Sequence, residues 1–145
     1  MTEDEHAYEV KKSAEWKPGS VAVGAVTLST REQQFLDAWR LYGIEDSDPI
    51  PQYKTEDVRT PKAGRPYTWD FAWPAVRLLI EIHGFGRHNS IAGLAGDCAK
   101  MRAALAAGWM VIPITSKCLG TVESRQVVCE QIEAIINQRW PVVIA

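Results

Sequence analysis

From Thr30 onward the chain alternates between two hydrophobic rhythms, one of three to four residues and one of two. Ser29 or Thr30 can cap a helix carrying Phe35, Leu36, Trp39 and Leu41, and Gly43 supplies its stop. An Asp- and Pro-rich turn, Glu45 to Pro51, leads to a short strand expected at Gln52 to Thr55 and then to a basic, turn-rich loop. Two strand-like runs follow, Tyr67 to Trp73 and Arg77 to His83, and the Pro74-Ala75-Val76 break between them reads as a hairpin. The second run is almost continuously apolar, as expected of a strand covered on both faces. Its one carboxylate, Glu81, must therefore meet a cation, a metal or solvent, because an unpaired buried charge is costly. Asn89 or Ser90 can cap the next helix, where Ile91, Leu94, Cys98, Met101 and Leu105 form an apolar stripe up to Gly108. Asp97 and Lys100 lie off that stripe. Trp109 to Ile114 reads as a strand whose Pro113 suggests an edge or a strand end. A last helix, Leu119 to Gln138, is expected to bury Val122, Val128, Ile132 and Ile135. The order of elements predicts an α/β sandwich around a mixed sheet, with no internal repeat.

Composition narrows the class without naming a function. A chain of 145 residues, 46% hydrophobic and 23% charged, suits one globular domain. Residues 30–145 are expected to form it, behind a loose arm at 1–29 that includes a candidate strand at Val21 to Leu28. No apolar run reaches the roughly 18 residues of a membrane span, and the N-terminus opens on acids, so a soluble cytoplasmic protein without a membrane partner is expected. Cys98, Cys118 and Cys129 form no C-x-x-C pair and point to neither a disulfide framework nor a zinc knuckle. A net charge of -2 argues against a general nucleic-acid coat protein, although acids gathered at a metal site can hide a locally basic face.

The chemistry concentrates on the hairpin. Asp70 and Glu81 stand near the ends of adjacent strands, which lie about 4.8 Å apart once paired. Two carboxylates so placed suit magnesium, which takes oxygen ligands and completes its shell with water and substrate phosphate. Such an ion can polarise a phosphate and activate a water. The plain alternative is that Asp70 pairs with Arg77 across the hairpin and Glu81 sits in solvent.

The segment Tyr67 to Thr115 adds an ordered set of motifs: Trp69-Asp70-Phe71-Ala72-Trp73-Pro74, Glu81-Ile82-His83-Gly84, Gly86-Arg87-His88, Asp97 to Lys100, and Gly108-Trp109-Met110-Val111. In that order it resembles the small Vsr-like endonucleases of the PD-(D/E)xK superfamily, common in phages and mobile elements. The resemblance covers about a third of the chain strongly. It implies a restriction-endonuclease-like fold and a Mg²⁺-dependent DNA endonuclease, with Mn²⁺ as a substitute ion. Asp70 and Glu81 would hold the metal, with the Ile82 carbonyl as a further ligand and Glu32 matching an acid that many members carry on their first helix. Interaction of Glu32 with the start of its own helix is an equal alternative.

His83 stands where the superfamily has its lysine. A neutral imidazole there could orient or deprotonate the attacking water, and Lys100 could supply the missing cation, unless it merely pairs with its neighbour Asp97. Arg87, in a glycine-flanked loop, is a candidate phosphate contact; its neighbour His88 could contact phosphate, activate water or make a structural hydrogen bond, and Lys54, Arg59, Lys62 and Arg65 could grip a second stretch of backbone or form a solvated turn. Trp69, Trp73 and Trp109 are expected in the core. With no recognisable base-reading module, structure-selective cleavage is the expected activity, as a branched-DNA or Holliday-junction resolvase or a nickase in phage recombination or repair. A resolvase would need a homodimer. The opposing expectation is a degenerate module that binds nucleic acid or protein without cutting.

Overall fold

The computed structural model describes residues 26–83 and 90–140. All but the end of the expected arm lies outside them, as do the candidate contacts Arg87 and His88. The chain is mixed α/β and divides into two compact units, one drawn from Met1–Pro49 and Leu119–Ala145, the other Ile50–Cys118.

The first unit holds helices α1 (Thr30–Tyr42) and α3 (Val122–Arg139), which pack on each other. A capping box starts α1: the Ser29 amide donates to Glu32 Oε1 at 2.8 Å and the Glu32 amide to Ser29 Oγ at 3.2 Å. Phe35, Leu36 and Trp39 are buried as their spacing predicts, but Leu41 is exposed. On α3 the buried residues are Val128, Cys129, Ile132 and Ile136. Val122 is half exposed, because it stands in the first turn, before the packed part of the helix.

The second unit is a four-stranded mixed sheet with one helix. β1 (Ile50–Arg59), β2 (Pro66–Trp73) and β3 (Leu78–His83) form an antiparallel meander. Helix α2 (Ile91–Ala106), capped by Ser90, then returns the chain so that β4 (Met110–Thr115) lies parallel to β3 at the sheet edge. The edge position is where Pro113, lacking an N–H, is tolerated. β1 is longer than its apolar content suggests and absorbs Lys54 and Arg59 into the strand. Its pairing with β2, rather than its own hydrophobicity, carries it past Thr55, across a register shift between Thr55 and Arg59. Leu78, Leu79 and Ile80, which point alternately to opposite faces of β3, are all fully buried.

One core cluster joins Val58, Trp69, Ala72, Leu79, Ala104 and Trp109, with Tyr53, Ala103 and Ala107 against it. Trp69, Trp73 and Trp109 are core residues, as expected. The helix, however, does not use its expected stripe. Ile91 is 90% exposed and Leu94 and Leu105 more than half exposed. The side of α2 that meets the core is built from alanines, whose small side chains let the helix lie close on the sheet, and Asp97 and Lys100 turn inward with it.

The far end of α2 is held by a clamp. Arg77, in a left-handed conformation at the β2–β3 turn (φ 50°), stacks over the Trp109 ring at 4.3 Å and donates to Asp57 Oδ2 at 2.6 Å and to the Ala107 carbonyl at 2.8 Å. The alternative in which Arg77 pairs with Asp70 is thus corrected to an Asp57–Arg77 pair, because the register shift in β1 brings Asp57 within reach. The Trp109 indole N–H also donates to Asp57, at 3.0 Å. The Arg77 hydrogen bond, opposed by partial burial and helped by Trp109, holds the Asp57 carboxyl below its ordinary value of 3.8. Asp57→Ala should lower stability by about 1–2 kcal/mol, limited by the half-exposed ion pair but raised by the orphaned indole N–H. Because the folded value is depressed, the ionised carboxylate stabilises above the ordinary value and loses that effect as pH falls through the folded one. Urea melts of both proteins should therefore converge partly below about pH 4, whereas a pH-independent difference would assign the loss to packing alone.

Candidate functional site

β2 and β3 pair Trp73 with Leu78, Ala72 with Leu79 and Phe71 with Ile80, and the same register carried one step further sets Asp70 across from Glu81. There a side chain takes over from the backbone: the Ile82 amide donates to Asp70 Oδ2 at 2.6 Å. This anchors Asp70 to the strand that carries Glu81. The two carboxylates named from the sequence are therefore brought to one end of the hairpin. In an extended strand the N–H and C=O of one residue point to the same side, so the Ile82 carbonyl also faces β2.

Glu81 meets a cation. Lys100 Nζ reaches over from α2 to Glu81 Oε2 at 2.9 Å and also donates to the Thr68 carbonyl at 2.7 Å. Both side chains are only 15% exposed. The ammonium lies 4.2 Å from the centre of the Trp69 ring and 5.8 Å from that of Tyr67, where the negative faces of the rings add to its stabilisation. The expectation that Lys100 pairs with Asp97 is corrected: Lys100 points to the strand, and Asp97 Oδ2 instead lies 3.3 Å from His83 Nδ1.

The two pairs follow from periodicity. Glu81 and His83 are two apart on β3 and so share a face, while Asp97 and Lys100 are three apart on α2 and so share a side. A helix returning over its own strand runs opposite to it, which sets Lys100 beside Glu81 and Asp97 beside His83. Asp97 is the residue that reading along the chain missed as a member of the site. The signal was the match between the E-x-H spacing on the strand and the D-x-x-K spacing on the helix.

The other candidates lie elsewhere. Glu32 belongs to the first unit and is buried in the α1 capping box. Arg59 is tied to its own hairpin by the carbonyls of Glu56 and Gly64 and the Glu56 carboxylate. Lys54, on β1, and Lys62 and Arg65, in the β1–β2 turn, are exposed.

Among the described residues no group of three or more His, Cys, Asp or Glu side chains is arranged to hold a metal ion. Asp70 and Glu81 supply two hard oxygen donors, the number that magnesium commonly takes from side chains when carbonyl, water and substrate oxygens complete its shell. Glu81 already holds one cation, the Lys100 ammonium. Two carboxylates are donors of the kind a hard divalent ion takes, and a bound ion would share Glu81 with the Lys100 ammonium. Comparison with known proteins gave no matching family model, no matching curated protein and no matching solved structure. No helix among the described residues is long and apolar enough to cross a membrane.

The Glu81–Lys100 contact can be measured without any substrate. Glu81→Gln and Lys100→Met should each destabilise the fold, and the double variant should cost less than the two together by about 1 kcal/mol. Additive losses in urea denaturation would mean that the two groups do not interact in solution.

Proposed function

We propose that the unit Ile50–Cys118 carries the active site of a Mg²⁺-dependent DNA endonuclease of the PD-(D/E)xK type. The observation that carries this reading is the delivery of the Lys100 ammonium to Glu81, at the hairpin end that also holds Asp70. The lysine absent from position 83 is thereby supplied from the following helix. The order of three antiparallel strands, a crossover helix and a parallel fourth strand supports the restriction-endonuclease-like form of the fold.

In this reading Asp70, Glu81 and the Ile82 carbonyl hold the metal, with Mn²⁺ able to replace Mg²⁺. When bound, the ion supplies Lewis-acid polarisation of the scissile phosphate. Lys100 offers a fixed positive charge for the phosphorane-like transition state. His83 takes a proton from the attacking water as the water oxygen bonds to phosphorus. The P–O3′ bond breaks, the leaving O3′ takes a proton from solvent, and the products carry a 5′-phosphate and a 3′-hydroxyl. The exposed Lys54, Lys62 and Arg65 offer phosphate contacts on β1 and its turn. Branched DNA is the substrate class we favour, with a homodimer if the enzyme resolves junctions in phage recombination or repair. The competing reading, a nuclease-like module that binds without cutting, draws on the same ion pair: Lys100 could simply neutralise a carboxylate that no longer serves a metal.

The test is cleavage of end-labelled four-way junction, flap, nicked and linear duplex DNA with Mg²⁺, Mn²⁺ or EDTA. Metal-dependent cleavage is expected, abolished in Asp70→Asn and Glu81→Gln and reduced roughly 10²–10³-fold in Lys100→Ala. Glu81→Gln should still bind DNA, since it removes a negative charge near phosphate. No cleavage of any substrate with either metal would reject the nuclease and favour the binding module.

A further inference from the structure

Helix α2 has three charged side chains, and two of them, Asp97 and Lys100, turn toward the strand, which leaves Arg102 as the one charge on its outer side. That outer side carries Ile91, Leu94 and Leu105, half of the six large apolar side chains that stand exposed among the described residues. A helix that is apolar on both sides is normally covered on both, and an exposed apolar patch on a globular protein marks a contact surface. Here the sheet covers one side only. The spacing of the patch indicates what fits it. Ile91, Leu94, Cys98, Met101 and Leu105 recur at steps of three, four, three and four, the seven-residue repeat by which one helix receives another. Cys98 and Met101 are half-buried, and the exposed Ala95, Ala99 and Ala106 line one side of the row, small enough for a second helix to approach to about 8 Å between axes. A phosphate backbone would need more than one positive charge on this face. Two heptads are few for a free coiled coil, but α2 is already anchored on its sheet, so pairing does not have to form the helix.

We infer that the outer face of α2 docks a second copy of this chain, helix against helix and antiparallel, across a two-fold axis. A two-fold partner presents the same apolar row, so the surface is its own complement. With the axis between Ala99 and Lys100, Leu94 of one copy falls beside Leu105 of the other and Cys98 beside Met101. Large groups then face small ones in the middle of the seam, whereas a parallel pair would stack Cys98 on Cys98 and Met101 on Met101. Antiparallel helices also oppose their dipoles. Arg102 stands at the edge of the row, where its stem covers the seam and its guanidinium stays in water. A seam of 16 residues is about 24 Å long and buries on the order of 900 Å² over both copies, less than the roughly 1,200 Å² at which stable interfaces begin. The dimer therefore forms and separates with concentration, at micromolar levels rather than nanomolar ones. The inference does not depend on the nuclease reading, and the interface lies on the side of α2 that faces away from Glu81 and His83.

The test uses the full chain without DNA. Sedimentation between roughly 1 and 500 μM, a range that spans the expected dissociation constant, should show a monomer–dimer equilibrium. Leu94→Glu combined with Leu105→Glu should weaken association at least about 100-fold, with a urea midpoint close to that of the wild type, because both side chains are exposed in the single chain. Direction is read by mixing a Leu94→Cys chain with a Leu105→Cys chain, both also carrying Cys98→Ala and Cys118→Ala, in oxidised glutathione. Disulfides joining one kind of chain to the other should exceed those joining like chains. Should the glutamate pair unfold, this cross-linking still reads the contact. A wild type that stays monomeric throughout would overturn the inference and leave the face to another occupant. A dimer that survives both glutamates, or cross-links mainly between like chains, would overturn it as well. None of these results bears on cleavage, so the nuclease reading stands or falls separately.

Discussion

Glu81 follows three fully buried residues on β3, and a carboxylate in that position has to be compensated by the protein itself, because water reaches little of it. Lys100 provides the compensation, and much else in the unit follows from that one contact. For its ammonium to reach the strand, α2 must turn the Lys100 side inward. Asp97 comes with it, and the residues that meet the core cluster below them are Ala103, Ala104 and Ala107. Ile91, Leu94 and Leu105 are left on the outside. Each of those exposed side chains forgoes the roughly 2 kcal/mol that burial of a large aliphatic group contributes, so the helix orientation follows polar pairing and close approach rather than burial of its most apolar stripe.

That conflict explains where the sequence was legible and where it misled. The β2–β3 hairpin, the buried first half of β3 and the edge strand with Pro113 could be read locally, because turn residues, continuous apolar runs and a missing N–H act over a few positions. Asp70 and Glu81 could be placed together for the same reason. The inward side of α2 could not, since a helix with aliphatic residues on one side and alanines on another offers two plausible cores, and the strand it covers makes the choice. The partners of Lys100, Arg77 and Asp97 likewise depended on tertiary register. Arg77 looked toward Asp70 along the hairpin, yet the register shift in β1 presented Asp57 instead.

The helix is held at two levels by different physics. Near its middle, charged groups meet charged or polarisable ones: Lys100 with Glu81 and the Trp69 ring, and Asp97 beside His83. At its end, alanine packing and the Arg77 clamp fix Ala107 and Trp109. Arg77 does this from a left-handed backbone conformation that costs a non-glycine residue of order 1 kcal/mol, offset by its stacking and two hydrogen bonds. The clamp thus holds the C-terminal end of the helix against the β2–β3 turn.

The consequence for the proposed chemistry is an asymmetry between the carboxylates and the groups that assist them. Asp70 and Glu81 are placed by the hairpin and by the Ile82 amide, so their separation is a property of two paired strands. Lys100 and Asp97 are placed by a helix whose docking depends on the clamp. A strand-borne lysine two residues after Glu81 would move with the carboxylates, whereas a helix-borne one can lose its alignment while the carboxylates stay in place. Loosening α2 should therefore weaken the charge that Lys100 would supply in the proposed reaction before it disturbs the two carboxylates. In the proposed enzyme the remote Asp57–Arg77–Trp109 contacts would thus bear on rate through the same helix rotation that brings Lys100 to Glu81.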